Sequence, residues 1–151
     1  CRRHDALAIV NDDLELASQV NADGVHLGRA DGDASAARER LGPKALIGVS
    51  CYDELPRALS ARDAGADYAA FGSVYPSPTK PGAVRAPLDL LGRARAETGL
   101  AICAIGGITV ERAPEVLAAG ADLLAVIGDL FLAADIEARA RAYARAFAAR
   151  G

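Results

Sequence analysis

Six short apolar runs recur along the chain, each followed by a polar or glycine-rich segment and then by a stretch with helical spacing. The runs are Ala6–Val10, Gly24–Leu27, Ala45–Val49, Asp67–Phe71, Leu100–Ile105 and Leu123–Ile127. Continuous apolar runs of this length, without alternation, predict strands buried on both faces, and hence a parallel sheet covered by helices. The stretches between them predict helices over Leu14–Val20, Ser35–Leu41, Asp53–Ala64, Pro87–Glu97, Thr109 to about Ala118, and Ile136–Ala149. Gly42-Pro43, Gly65 and Gly120 are placed as helix stops, Pro87 in a first turn and Thr109 as a cap. An echo precedes every second strand: Asn21-Ala22-Asp23-Gly24, Gly65-Ala66-Asp67-Tyr68 and Gly120-Ala121-Asp122-Leu123. A repeat of paired β/α modules suits a (β/α)8 barrel better than an open sheet. Six modules are present, so the expectation is one partial barrel domain over residues 1–151.

Composition narrows the function. Hydrophobic residues make up 52% of the chain and aromatics only 5%, which suits alanine-rich helices packed on a sheet. The formal net charge of −3 argues against a nucleic-acid or membrane-surface partner. No apolar run approaches the ~20 residues that span a bilayer, and no secretory signal opens the chain. Cys1, Cys51 and Cys103 show no metal-like or redox spacing and read as free thiols. The cytoplasm is the expected compartment, with small molecules as the partners and room left for a homo-oligomer.

In a parallel β/α architecture, ligands bind outside the carboxyl ends of the strands. The first strand delivers Asn11 and Asp12 there, the second His26 and Asp31, and the third Ser50. The fourth leads into Phe71-Gly72-Ser73-Val74-Tyr75-Pro76-Ser77-Pro78-Thr79-Lys80-Pro81-Gly82-Ala83, whose prolines and glycines exclude helix and interior strand. Its hydroxyls and ammonium suit a phosphorylated ligand, although a solvated proline-rich turn explains it equally well in isolation. The chain has fifteen arginines but only two lysines, Lys44 and Lys80, which weighs slightly toward a chosen ammonium in this loop.

Asp12 and Asp31, on neighbouring strand ends, suit Mg2+ shared with a substrate phosphate. Taken alone, Asp12 is equally suited to capping the helix near Leu14, and Asp31 to a solvated loop. His26 is expected to pack or hydrogen-bond near the mouth without a catalytic role. Gly106-Gly107 after the fifth strand and Ile127-Gly128 after the sixth suggest a backbone-built phosphate site, each turn opening a helix. The alternative for Gly106-Gly107 is a plain tight turn.

Several stretches resemble the thiamine-phosphate synthase family, in its order and at its approximate spacing. They are Val10-Asn11-Asp12, Ala22-Asp23-Gly24-Val25-His26-Leu27-Gly28 with Asp31, Ile47-Gly48-Val49-Ser50, Pro76-Ser77-Pro78-Thr79-Lys80 and Ala104-Ile105-Gly106-Gly107-Ile108. The resemblance implies a (β/α)8 TIM barrel and a Mg2+-dependent transferase. Such an enzyme joins hydroxymethylpyrimidine pyrophosphate to thiazole phosphate, with pyrophosphate leaving first. By motif, Asp12 and Asp31 would hold Mg2+, and Asn11, Ser50 and Lys80 would contact the pyrimidine pyrophosphate, with Lys80 and Ser50 as catalytic residues. Ser77, Pro78 and Thr79, with backbone from Gly107, Ile127 and Gly128, would hold the thiazole phosphate.

The chain departs from the family pattern at three places. Gly128 stands where a serine is usual, and Asp13 where an arginine is common. The family's first two β/α units, with their Gln-x-Arg-x-Lys motif, are absent from these residues. Without them the chain is expected to be unstable and inactive by itself. Two other readings stay open: a thiazole tautomerase of the same family, and a non-catalytic fragment that binds a phosphorylated ligand.

Overall fold

The computed structural model describes residues 1–77 and 82–150, with Arg2 by its backbone only. Six strands are present: β1 (Ile9–Asn11), β2 (Gly24–Leu27), β3 (Leu46–Tyr52), β4 (Tyr68–Gly72), β5 (Ala101–Ile105) and β6 (Leu123–Ala125). They pair in chain order and in parallel throughout, forming an open half-barrel. The helices are α1 (Leu14–Gln19), α2 (Ala34–Leu41), α3 (Leu55–Asp63), α4 (Asp89–Thr98), α5 (Ala113–Ala118), α6 (Gly128–Phe131) and α7 (Ile136–Ala148). None is long and apolar enough to cross a membrane.

The two faces of the sheet differ in chemistry. Val25, Leu27, Ile47, Val49, Cys51, Ala69, Phe71, Ile102 and Ala104 alternate along β2 to β5 and are buried. They belong to one core with Ala17, Ala37, Ala58, Ala94 and Ala113 of the helices, small side chains that let helix backbones approach the sheet. The positions between them are Gly24, His26, Leu46, Gly48, Ser50, Tyr52, Tyr68, Ala70, Gly72, Ala101, Cys103 and Ile105. The opposite face is therefore mostly polar or small, with Leu46 and Ile105 as its large apolar residues, where the continuous apolar runs predicted burial on both sides.

The repeated Ala-Asp pair clamps each even strand to the one before it. The amides of Asp23, Asp67 and Asp122 donate to the carbonyls of Ala8, Ile47 and Ile102. Their carboxylates accept from the amides of the same three residues, at 2.7, 2.7 and 3.0 Å. Asp67 also takes Arg38 at 2.7 Å, whose guanidinium holds the carbonyls of Gly42, Ala45 and Gly65. Asp67→Ala leaves the Ile47 amide without its acceptor, and a loss of about 2 kcal/mol of stability is expected. Asp63→Ala, an exposed residue paired among the described residues with its neighbour Arg62, should stay within about 0.5 kcal/mol. Urea unfolding of the two variants, each in the chain completed with two further β/α units, checks this, and equal losses would contradict it.

Several boundaries differ from expectation. Thr109 does not cap α5. Its carbonyl accepts from Arg112 and Ala113 in a turn, and α5 begins at Ala113 with Pro114 in its first turn. A helix from Val110 would set the Pro114 ring against the Val110 carbonyl, so the proline delays the start. A tight turn over Pro87–Leu91 likewise precedes α4, which starts at Asp89. β6 stops at Ala125, two residues short of the expected Ile127, and the short helix α6 begins at Gly128. The cap of α1 is Asp13, which accepts from the Leu16 amide at 2.8 Å, so Asp12 is not the cap.

Candidate active site

A cavity of about 890 Å3 opens at the carboxyl ends of the strands. Ser50 and Tyr52 of β3, Ala70 and Gly72 of β4, Ile105 of β5 and Ala125 of β6 form its floor. Ser77, Gly106, Gly107, Ile127 and Gly128 stand around it. Five of the residues singled out from sequence thus share one cavity: Ser50, Ser77, Gly107, Ile127 and Gly128. Pro78, Thr79 and Lys80 lie outside the described residues. The described ends on either side, Ser77 and Gly82, both line the cavity.

Asn11, Asp12 and Asp31 do not line it; they end or follow β1 and β2, on the same carboxyl-end side of the sheet. Asp12 has a left-handed φ of 65°, and its amide donates to the His26 carbonyl at 2.8 Å. Asp31 folds back to accept from the Gly28 amide at 2.9 Å. A Cβ on Gly28 would stand 2.5 Å from Asp31 Oδ2 and 3.9 Å from Asp12 Oδ1. The two carboxylates therefore flank Gly28, well within the ~8 Å that one hydrated Mg2+ can span. Among the described residues no three His, Cys, Asp or Glu side chains gather around a point. Two carboxylates open to solvent suit a hard ion that keeps its waters and takes the rest of its shell from a phosphorylated ligand.

Ser50 is held from two sides. Arg57 of α3 donates to the Ser50 carbonyl at 2.6 Å and to the Gly28 carbonyl at 3.1 Å, tying the ends of β3 and β2 together. His26 Nε2 lies 2.9 Å from Ser50 Oγ, and His26 Nδ1 lies 3.0 Å from the Tyr68 hydroxyl. Burial lowers the His26 pKa against the opposing pull of Asp31, so the ring is neutral near neutral pH. His26 does hydrogen-bond at the mouth, as expected.

The glycine turn is set by close approach. Gly106 and Gly107 have φ of 100° and 62°, and a Cβ on Gly107 would lie 2.3 Å from the Pro76 carbonyl oxygen. The amides of Val74 and Tyr75 donate to the carbonyls of Ile105 and Gly106, so the loop after β4 is laced to the end of β5. Gly107 does not open a helix, because residues 108–112 intervene before α5. Gly128 does open one, the single turn α6. Asp129 anchors that turn by accepting from the Val110 amide and, at 2.7 Å, from the Tyr143 hydroxyl.

Arg112 was not singled out from sequence, where it reads as one more residue of a helix. It lines the cavity, donates to the Gly107 carbonyl at 2.8 Å and stacks 4.5 Å from the Tyr75 ring centroid. Tyr68 and Arg57 were also missed, since each acts across strands that only the fold brings together.

The cysteines take no part in the site. All three are free, and burial pushes the thiols of Cys51 and Cys103 up to about 12. Thiols so hard to ionise are poor nucleophiles and poor metal ligands.

Comparison with known proteins agrees with this geometry. A family model described as thiamine monophosphate synthase matches residues 1–130. A thiamine-phosphate synthase of Azoarcus sp. is 64% identical over 140 residues, covering 93% of this chain and 68% of the relative. One from Aromatoleum aromaticum is 58% identical over 147 residues, covering 97% of this chain and 71% of the relative. The solved thiamine phosphate pyrophosphorylase of Pyrococcus furiosus superposes with a TM-score of 0.88 at 36% identity, over 99% of this chain and 71% of that one. A family match over most of the chain, relatives this close and a superposable fold give one assignment: the chain belongs to the thiamine-phosphate synthase family, transferases of thiamine biosynthesis.

Proposed function

We propose that this site joins hydroxymethylpyrimidine pyrophosphate to thiazole phosphate and releases pyrophosphate, in the aqueous, reducing cytoplasm. The observation that carries the reading is the pair Asp12 and Asp31 flanking Gly28, which follow β1 and β2 at the same carboxyl-end side of the sheet as a cavity lined by glycine turns. The pair would hold Mg2+, whose charge would stabilise the leaving pyrophosphate. Asn11, Ser50 and Lys80 would contact the pyrimidine pyrophosphate, with Ser50 as a hydroxyl donor and Lys80 as a point charge. Ser77, Pro78 and Thr79, with backbone of Gly107, Ile127 and Gly128, would hold the thiazole phosphate.

The step breaks the bond between the pyrimidine methylene carbon and the pyrophosphate oxygen, and the electron pair departs with the oxygen. The thiazole nitrogen then gives its lone pair to the same carbon. No proton leaves the nucleophile, so no side chain has to act as a base. The chain's residues contribute by stabilising the departing charge and by holding the nucleophile in line. The carboxylate pair favours this synthase reading over a tautomerase, which needs no pyrophosphate-binding metal.

The direct test is calorimetric titration of inorganic pyrophosphate into the protein. Binding should require Mg2+ and disappear with a chelator, and equal binding without metal would refute the reading. Lys80 gives a second check. In a complete enzyme carrying the two further β/α units, Lys80→Ala should cost transition-state stabilisation on the order of 2–4 kcal/mol, by analogy with a lost oxyanion donor. Lys44→Ala, an exposed residue between α2 and β3, should cost almost nothing. Equal losses in turnover would count against the loop's assigned role.

A further inference from the structure

Tyr68, His26 and Ser50 form a chain across three adjacent strands on the inner face of the sheet. Tyr68 stands on β4 and His26 on β2, so the tyrosine must reach across β3. Gly48 of β3 makes that possible, since a Cβ there would lie 2.0 Å from Tyr68 Cζ. The two rings stack with centroids 5.5 Å apart and planes 27° apart. Both imidazole nitrogens are engaged, by Tyr68 at 3.0 Å and by Ser50 at 2.9 Å, which fixes the ring's orientation.

A neutral imidazole has one donor and one acceptor nitrogen, so the protons along this chain run in one of two directions. In one, Nδ1–H donates to Tyr68 and Nε2 accepts from the Ser50 hydroxyl. Ser50 then faces the cavity with lone pairs only, which would repel an anionic ligand. In the other, the Tyr68 hydroxyl donates to Nδ1, Nε2–H donates to Ser50 Oγ, and the one Ser50 proton is left for the cavity. Tyr68 keeps its own proton in either direction, so the two differ in whether Ser50 presents its hydrogen to the cavity.

We propose that Tyr68 and His26 are positioning residues that orient the Ser50 hydroxyl as a hydrogen-bond donor to an anionic oxygen of the substrate. Ser50 lines the cavity while the other two stand behind it, and Arg57 fixes its backbone from the far side. The proposal rests on the reading that Ser50 meets the pyrimidine pyrophosphate. It also gives His26 a role without making it an acid or a base.

The test uses the fact that the chain has only two histidines, His4 and His26. Nitrogen-15 NMR of the histidine-labelled protein reports the tautomer of each, and needs no substrate. At neutral pH His26 should carry its proton on Nε2, with Nδ1 accepting. Tyr68→Phe should shift it toward the other tautomer, whereas Ser50→Ala should not. Wild-type His26 protonated on Nδ1, or on both nitrogens, would overturn the proposal without any variant having to fold.

The second readout is affinity for inorganic pyrophosphate with Mg2+. Tyr68→Phe should weaken it about tenfold, the scale of an outer-shell partner, and have no effect once Ser50 is alanine. His26→Gln, which returns an N–H donor, should recover part of the loss caused by His26→Ala. A Tyr68→Phe loss of equal size in both Ser50 backgrounds would show a merely structural role. An Nε2–H tautomer in a protein that never forms thiamine phosphate would sustain the hydroxyl's orientation and sink only the assigned reaction.

Discussion

In the chain completed with two further β/α units, replacing both Asp12 and Asp31 with asparagine should lower thiamine-phosphate formation by about three orders of magnitude or more, and each single change by about a hundredfold. Asparagine is the informative choice. It tolerates the left-handed backbone at Asp12, and as residue 31 it can still accept from the Gly28 amide, so the variants remove charge and little else. The loss should shrink as Mg2+ is raised, because weaker metal binding is what the change causes. A Lys80→Ala loss should not respond to metal. Rate measurements across a Mg2+ series separate the two, and full activity in the double variant would remove the carboxylate pair from the mechanism.

The second large effect concerns the open sides of the sheet. β1 and β6 each pair with a single described neighbour, and nothing in their short sequences blunts an edge. Apolar side chains are exposed beside both. Ile127, Phe131 and Leu132 are 60, 62 and 87% exposed near β6, and Leu7 and Val20 are 63 and 54% exposed near β1. Patches of this kind drive association. The 151-residue chain should therefore sediment as concentration-dependent oligomers and unfold without a sharp transition. Supplying two further β/α units from a relative such as the Azoarcus enzyme should yield a monodisperse, cooperatively unfolding protein. A chain that is already a stable monomer would show that six units bury enough by themselves.

The strands were legible because most are short apolar runs bounded by Asp, Asn or Gly, while the third, Ala45–Val49, lies between Lys44 and Ser50. The Ala-Asp echo was visible as a repeat, yet its role was not. Each aspartate clamps a strand 15 or 20 positions earlier, a contact that exists only once the sheet has formed. The character of the inner face was missed for a similar reason. Gly48 reads as a weak point in a strand, whereas its missing side chain is what lets Tyr68 reach His26.

The start of α5 was misplaced because Thr109 is a plausible cap, and Pro114, five residues on, was not weighed against it. Of the residues expected at strand ends, Ser50, Gly107 and Gly128 line the cavity. Arg112 and Arg57 were not singled out, since arginine on a helix is ordinary until its neighbours are known.

The central claim is that the rim of this half-barrel carries out the synthase reaction, and thiamine-phosphate formation tests it most directly. The measurement is product formed from both substrates with Mg2+, by the 151-residue chain and by the same chain completed with the two further β/α units. The predicted result is little product from the chain alone, and turnover in the completed protein that requires Mg2+, Asp12 and Asp31. A folded, completed protein that makes no thiamine phosphate, or makes it as fast without metal, would contradict the account.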